Sequence, residues 1–314
     1  MTWLRRYGTL AGFGTIMLFF AVMLPDTFLT GRNLLNISQQ ISMLAVVAFA
    51  MTIVMVMGDF DLSVGAMASL SGVVAGVLFA PYGVTVAIVA ALAVGVLGGI
   101  LNGLLVAVVG ILPFVATLGT LTIFGGFAFL ISDGRTIFGK DIPEPFSNFA
   151  RGGVDVLGVS VPALSLVALG VLALVWFLLE HTTWGRRLYA IGGNAEAARL
   201  AGVRVRLLRT SAFALTGLGA AGAGLMYAAR VASANPTQGN GLMLDAIAAV
   251  FLGMTMSEEA EPRVHATLVG VLILAVLDNG LTQMAVDSYV REILVGAIIL
   301  AAVGSAGIGG LIRR

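Results

Sequence analysis

Side chains able to do chemistry are few in this sequence, and they are unevenly placed. Six arginines, Arg186, Arg187, Arg199, Arg204, Arg206 and Arg209, crowd into the stretch Gly185–Arg209, which reads GRRLYAIGGNAEAARLAGVRVRLLR. Charge at this density does not enter a bilayer, yet apolar runs of membrane-spanning length stand on both sides of it. The stretch is therefore a basic loop held against one membrane face, and the arginine excess assigns that face to the cytoplasm. The loop also carries the signals of a short helix. Asn194 suits an N-cap, Glu196 the first turn, Arg199 the last turn and Gly202 a left-handed position beyond the end. Ala197, Leu200 and Ala201 share one face. A helix of roughly seven residues, about 10 Å long, is marginal alone in water and needs a surface to dock on. Two surfaces satisfy that need: the lipid headgroups, or a groove on a cytoplasmic partner.

A second group of polar residues falls within or beside apolar surroundings. Asp59 and Asp61 sit in Gly58-Asp59-Phe60-Asp61-Leu62-Ser63, Asn102 in a glycine-rich run, and Asp278 and Asn279 side by side with Gln283 after them. Ionisable groups at membrane depth are costly and so call for a partner or a water-filled path. For Asp59 and Asp61 the sequence leaves open a position at the inner surface or in a broken helix lining a cavity. Asn102, Asp278 and Asn279 suit either hydrogen bonds between helices or the fixed donors and acceptors that a sugar requires.

Catalytic patterns are missing. The chain has no cysteine, two distant histidines (His181 and His265) and one lysine, Lys140. No GxxxxGK[ST], HExxH or nucleophile-elbow pattern occurs, so neither ATP hydrolysis nor a metal or serine site is expected in this chain.

These residues are positioned by a membrane frame. Of 314 residues, 59% are hydrophobic and 11% charged, and the mean hydropathy is +1.04. Soluble domains carry about 25% charged residues. The net charge of +1 gives no reason to expect a nucleic-acid partner. Runs long enough to cross a hydrocarbon core of about 30 Å fall at Gly8–Leu24, Ile37–Met57, from Ser63 to Ala80, Val84–Val109, Phe114–Ile131, Val161–Leu179, Thr210–Ala229, Leu242–Met256, Val264–Met284 and Val290–Ile308. The turn Pro81-Tyr82-Gly83 separates the third from the fourth. The first run lacks a small-residue cleavage pattern and reads as a retained span. The expectation is an all-α polytopic membrane protein with about ten transmembrane helices and both termini cytoplasmic. It forms a single transmembrane domain over 1–314, with the basic loop at about 181–209. Arginine placement agrees: Arg5, Arg6, the six loop arginines, Arg263, Arg313 and Arg314 fall inside, and Arg32, Arg135, Lys140 and Arg151 outside. Glycines at three- and four-residue spacing, Gly95, Gly98, Gly99 and Gly103, then Gly217, Gly219, Gly222 and Gly224, read as close helix packing.

Four segments resemble the permeases of ribose/arabinose/xylose-type ABC importers. Gly58–Gly65 is similar to that family's GGxDLSVGS segment, and Thr183–Asn194 with Ala197–Val203 to its cytoplasmic loop. Leu244–Val250 and Asp278–Leu281 match two further segments. The resemblance implies a multi-pass inner-membrane permease for a sugar or related polyol. It implies two copies forming the pore within membrane lipid, a separate ABC ATPase that holds the ATP and magnesium, and a periplasmic sugar-binding protein. It makes Arg186, Arg187, Asn194, Glu196, Arg199 and Leu200 the expected contacts to the ATPase. Asp59, Asp61, Asn102, Asp278 and Asn279 are the expected pathway residues. The chain departs from the family where a glycine-rich segment is usual: Met254–Arg263 carries Glu258, Glu259 and Glu261. The competing class is an ion-coupled secondary transporter of a small polar solute, with Asp245 and Asp278 as carriers.

Overall fold

The computed structural model describes residues 2–156, 158–257, 261–290, 292–297 and 300. It is built of helices α1 (Thr2–Met23), α2 (Gly31–Met55), α3 (Val64–Leu104), α4 (Pro113–Ser132), α5 (Glu144–Arg151), α6 (Ala163–Trp176), α7 (Thr183–Leu200), α8 (Val205–Val231), α9 (Leu242–Met254) and α10 (Val264–Gln283). Single π-helical turns extend α3 over Leu105–Val109 and α6 over Phe177–His181. Two small antiparallel ribbons complete it: β1 (Ile137–Phe138) with β4 (Ser233–Ala234), and β2 (Gly153–Val156) with β3 (Val159–Pro162).

Among the described residues, six helical stretches are long and apolar enough to cross a membrane: 31–55, 64–109, 113–132, 163–181, 205–231 and 264–283. The 46-residue stretch over 64–109 is bent at Gly83, whose φ of 79° is open to glycine, with Pro81 just before it. The turn expected at Pro81-Tyr82-Gly83 is therefore a bend, with a crossing-length helix on each side of it. Two further apolar helices, Gly8–Met23 and Leu242–Met254, are shorter. Most of the run expected at Val290–Ile308 lies outside the described residues.

Two helices start earlier than hydropathy alone indicates. The second was expected from Ile37 but α2 begins at Gly31, because Thr30 Oγ1 accepts the Asn33 N–H (3.2 Å) as a cap. The seventh was expected from Thr210 but α8 begins at Val205, so Arg206 and Arg209 are helical residues. Of the stretch expected as a loop over 181–209, most is helix.

The chain divides into two compact units: residues 1–41 with 245–314, and residues 42–244. Within the larger unit, α3 packs on α8 at backbone distance. A Cβ at Gly217 would fall on the Gly95 carbonyl, one at Gly99 on the Phe213 carbonyl, and one at Gly103 on Thr210. Lipid supplies no hydrophobic drive between helices, so close backbone approach must supply the contact instead. Large apolar residues such as Val89, Leu97, Phe114, Leu169 and Leu174 point outward, as a lipid-facing surface requires. Between α4 and α6 lie β1, the amphipathic α5, and the β2–β3 hairpin. In the smaller unit, α10 packs on α1 through Gly280 and Phe20. It packs on α9 through Gly270 against the Ala249 backbone and Gly253 against Ala266.

Gly217 and Gly222 lie five residues apart on α8, yet only Gly217 has a neighbour within reach of a Cβ. Gly217→Leu should destabilise the fold by about 1–3 kcal/mol or more through overpacking, read as a lowered melting temperature in detergent. Gly222→Leu should leave it nearly unchanged.

Candidate functional site

At one end of the larger unit the chain leaves α2 and enters α3 through residues 56–63. Gly58 turns it with a φ of 77°. Two carboxylates follow, and both are buried. Asp59 is 2% exposed and meets Arg209 of α8, whose Nε donates to Oδ2 at 2.9 Å and Nη2 to Oδ1 at 2.6 Å. This is a forked, charge-assisted pair, the geometry for which guanidinium is suited and ammonium is not. Arg209 reaches it from a position 26% exposed.

Among the described residues, Asp61 has no cation against it. Its Oδ1 accepts the Ser63 N–H (2.9 Å) and O–H (2.6 Å), and Asn102 Nδ2 points at both oxygens from 3.4 Å. Asn102 also donates to Ser63 Oγ (2.8 Å) and accepts the Thr120 hydroxyl on Oδ1 (2.7 Å). The cluster joins the start of α3, the end of α3 and α4, each contributing side chains that are satisfied inside it. Asp59 and Asp61 therefore lie in a broken backbone segment, the second of the two positions left open by the sequence.

The arginine-rich segment is built against this turn. Thr182 caps α7, its Oγ1 accepting the Gly185 N–H at 3.2 Å. Leu188 and Ile191 are buried, and a Cβ at Gly192 would strike the Val56 carbonyl at the end of α2. Tyr189 donates to Glu180 (3.1 Å) and Trp184 Nε1 to Ser211 (3.0 Å). At Asn194 the helix breaks (φ −161°, ψ 102°) and restarts. Asn194 Oδ1 accepts the Ala197 N–H at 2.9 Å, so it is the cap expected from its type and position. Gly202 (φ 84°) ends the short helix. Glu196 and Arg199 form a two-bond pair at 3.0 and 2.6 Å. The hydrogen bonds and the charge of Arg199 hold the Glu196 carboxyl below the usual glutamate range.

Ala198 is buried, whereas Glu196, Ala197, Arg199, Leu200 and Ala201 are exposed, Leu200 at 76%. The face that the sequence marks for docking is thus turned away from the protein. Arg186 and Arg187 are exposed too, and neither pairs with a carboxylate among the described residues.

The remaining candidates belong to the smaller unit. Asn279 and Asn33 exchange amide hydrogen bonds (3.0 and 3.1 Å), and Gln283 donates to Asn279 Oδ1 at 2.7 Å. Asp278 is exposed. Of the five pathway candidates, the structure brings Asp59, Asp61 and Asn102 together at one turn, and Asp278 and Asn279 lie in the other unit. Arg209, Ser63, Thr120 and Asn33 were not singled out by sequence reasoning. Arg209 was legible only as one more loop arginine, although an unpaired aspartate before α3 called for a cation. Of the segment that departs from the family, Glu261 faces Arg263 at 3.6 Å, while 258–260 lie outside the described residues. Among the described residues, no cluster of three or more His, Asp or Glu side chains suits a metal ion.

Removing Arg209 leaves the Asp59 carboxylate buried and unpaired. Arg209→Ala should cost about 3 kcal/mol, the lower end of the range for breaking a buried pair because Arg209 is partly exposed. A double-mutant cycle with Asp59→Ala, read by thermal unfolding in detergent, should show strong coupling, with Asp59→Ala/Arg209→Ala less damaging than the sum of the single changes.

Residues 33–303 match the family described as branched-chain amino acid transport system / permease component. The chain is 38% identical to the ribose import permease protein RbsC of Bacillus subtilis (strain 168), over 96% of this chain and 92% of that one. It is 33% identical to the D-allose transport system permease protein AlsC of Escherichia coli (strain K12), over 95% and 90%. With the xylose transport system permease protein XylH of the same strain the identity is 30%, over 96% and 91%. No solved structure matches. Identity at this level runs nearly end to end, and the chain has the apolar helices of a multi-pass inner-membrane protein. It follows that this protein belongs to that family of permease components, the membrane-embedded subunits of ABC import systems.

Proposed function

We propose that this chain forms the membrane pathway through which an ABC importer moves a sugar or related polyol. The family's own description names branched-chain amino acids. Identities of 30–38% over nine-tenths or more of each chain to permeases named for ribose, allose and xylose are the finer guide. The whole of 1–314 acts as one permease domain of about ten membrane-crossing helices with both termini cytoplasmic. Two copies, set in membrane lipid, enclose the path. A periplasmic sugar-binding protein delivers the solute. ATP and magnesium are held by a separate ABC ATPase, and this chain contributes no cofactor of its own.

The short helix 195–200 within the loop 181–209 is the coupling element. The observation that carries this is the outward-facing set Glu196, Arg199 and Leu200 on a helix capped by Asn194. An exposed leucine beside a preformed ion pair, on a segment otherwise anchored, is a surface prepared for a groove. Arg186 and Arg187 flank it as cations for an acidic rim. The anchor points are what make docking useful. Gly192 rests on the end of α2, and Arg209 grips Asp59 in the turn before α3. Displacement of the helix by the ATPase would be passed to both. For this to drive transport, the ATPase must bind the two conformations of the permease with different free energies. In this reading Asp59, Asp61, Asn102 and Asn279 are the polar frame of the path, holding its helices in place. Asp278, exposed on α10 beside Asn279, is the fifth member of the proposed set.

Reconstitution with the ATPase and the binding protein tests the coupling role. Glu196→Ala/Arg199→Ala with Leu200→Ala should lower ATP-driven sugar uptake by about tenfold or more, corresponding to at least about 1.4 kcal/mol. Membrane insertion and melting temperature should stay unchanged. Uptake at the normal rate by this variant would refute the docking role.

A further inference from the structure

The connection from α8 to α9 does not lie on the surface of the larger unit. Its first residues are held by β4, which pairs with β1, and by Asn235 Nδ2, which donates to Thr136 Oγ1 at 2.9 Å. The chain then turns inward. Asn235 Oδ1 accepts the Thr237 N–H and O–H, both at 2.8 Å. The Gln238 side chain passes between two helices: its Nε2 donates to the Gly224 carbonyl of α8 at 3.2 Å and lies 3.4 Å from the Ala68 carbonyl of α3. The Gly239 N–H donates to Ser69 Oγ at 2.8 Å. Glycines open the room for it. A Cβ at Gly72 would fall on the Gln238 amide, and one at Gly65 on the Gly239 carbonyl.

Helix geometry gives the depth of this dip. Gly224 lies seven residues before Val231, the end of α8, and so about 10 Å below it at 1.5 Å per residue. Ser69 lies fourteen residues before the bend at Gly83, about 21 Å. Both helices are long and apolar enough to cross a membrane, and against a hydrocarbon core of about 30 Å we place residues 238–240 within it. Irregular backbone is stable there only against protein or against water.

The inner side of the dip is satisfied by Gln238 and Gly239. The outer side is not. Thr237, Asn240 and Gly241 are exposed. The Asn240 N–H is used by the Thr237 carbonyl at 3.0 Å, but among the described residues its side-chain amide has no hydrogen-bond partner. A free amide at this depth cannot face lipid without a large desolvation penalty. It needs water, or a solute that takes the place of water.

We propose that Asn240 is a sugar contact in the translocation path, its N–H2 donating to one hydroxyl of the solute and its carbonyl accepting from a neighbouring one. The contact rests on the sugar-importer reading above and names a residue for it. A neutral amide held by a bonded turn suits this task. It replaces water at about equal strength and so lets the solute pass on.

The absence of native cysteine makes the test direct. Asn240→Cys supplies one thiol per copy of this chain in the full transporter with its ATPase and binding protein, in vesicles, with modification read on this chain. A membrane-impermeant charged methanethiosulfonate should modify it. Leu97→Cys, on an outward apolar position of α3, should stay unreactive. Adding D-ribose, D-allose or D-xylose with binding protein and ATP should slow modification of Asn240→Cys several-fold. Asn240→Ala should lower uptake of the transported sugar by about tenfold or more, the scale of two lost neutral hydrogen bonds, with ATP hydrolysis little changed, and Asn240→Gln should restore part of it. An unreactive thiol, a disulfide between the Asn240→Cys residues of two copies, or full uptake by Asn240→Ala would each overturn the contact. If the unmodified transporter moves none of the three sugars, the sugar-importer reading fails and the sugar contact with it. The thiol reactivity still decides separately whether Asn240 faces water.

Discussion

A carboxylate that cannot reach water must be given partners inside the protein, and Asp59 finds a cation 150 residues away in Arg209. That ion pair orders much around it. It fixes the first turns of α8 against the α2–α3 connection and so sets where the arginine-rich segment between α6 and α8 can sit. The second carboxylate, Asp61, lies two residues on and is handled by neutral donors from Ser63 and Asn102. A forked guanidinium contact fixes direction as well as distance. The hydroxyl and amide cluster fixes which helix ends meet. The two devices together hold the α2–α3 turn, both ends of α3, α4 and α8 in one arrangement.

The rest of the larger unit obeys the complementary rule for apolar surroundings. Where two helices must meet without a hydrophobic drive, they meet at glycine. Gly95, Gly99, Gly103 and Gly217 bring α3 and α8 to backbone contact, and Gly192 does the same for α7 against the end of α2. Interfaces of this kind have little freedom to repack, because no side-chain rotamer is available to absorb a shift.

How much of this was legible depended on whether the deciding interaction is local. Run length and charge deficit reveal the membrane class and most crossing segments because those properties need no partner. The Asn194 cap, the Glu196–Arg199 pair and the Gly202 terminus were readable for the same reason: all act within one or two helical turns. Arg209 was not, since its charge resembles that of its five neighbours and only Asp59 singles it out. The role of Asn33 was hidden likewise, because it looks like linker until Asn279 supplies its amide partner. The dip at 235–241 reads as an ordinary loop from Asn235-Pro236. Its depth is set by Gly65, Gly72 and Gly224, whose meaning as space for a side chain and a backbone appears only when α3 and α8 are placed together.

The same logic bears on how a permease of this kind can bind solute weakly and still choose its path. Polar groups that are fully matched inside the protein, such as those of Asp61, Asn102 and Asn279, hold helices but have little left to offer a passing hydroxyl. Groups that remain open are then the ones able to replace water around a solute, and their number limits the affinity. A chain that leaves few such groups open cannot trap its cargo, which is an advantage when affinity is supplied by a delivering protein and work by an ATPase. Weak contact within the membrane and firm attachment at one end, as proposed above, would both follow from the same economy of polar groups.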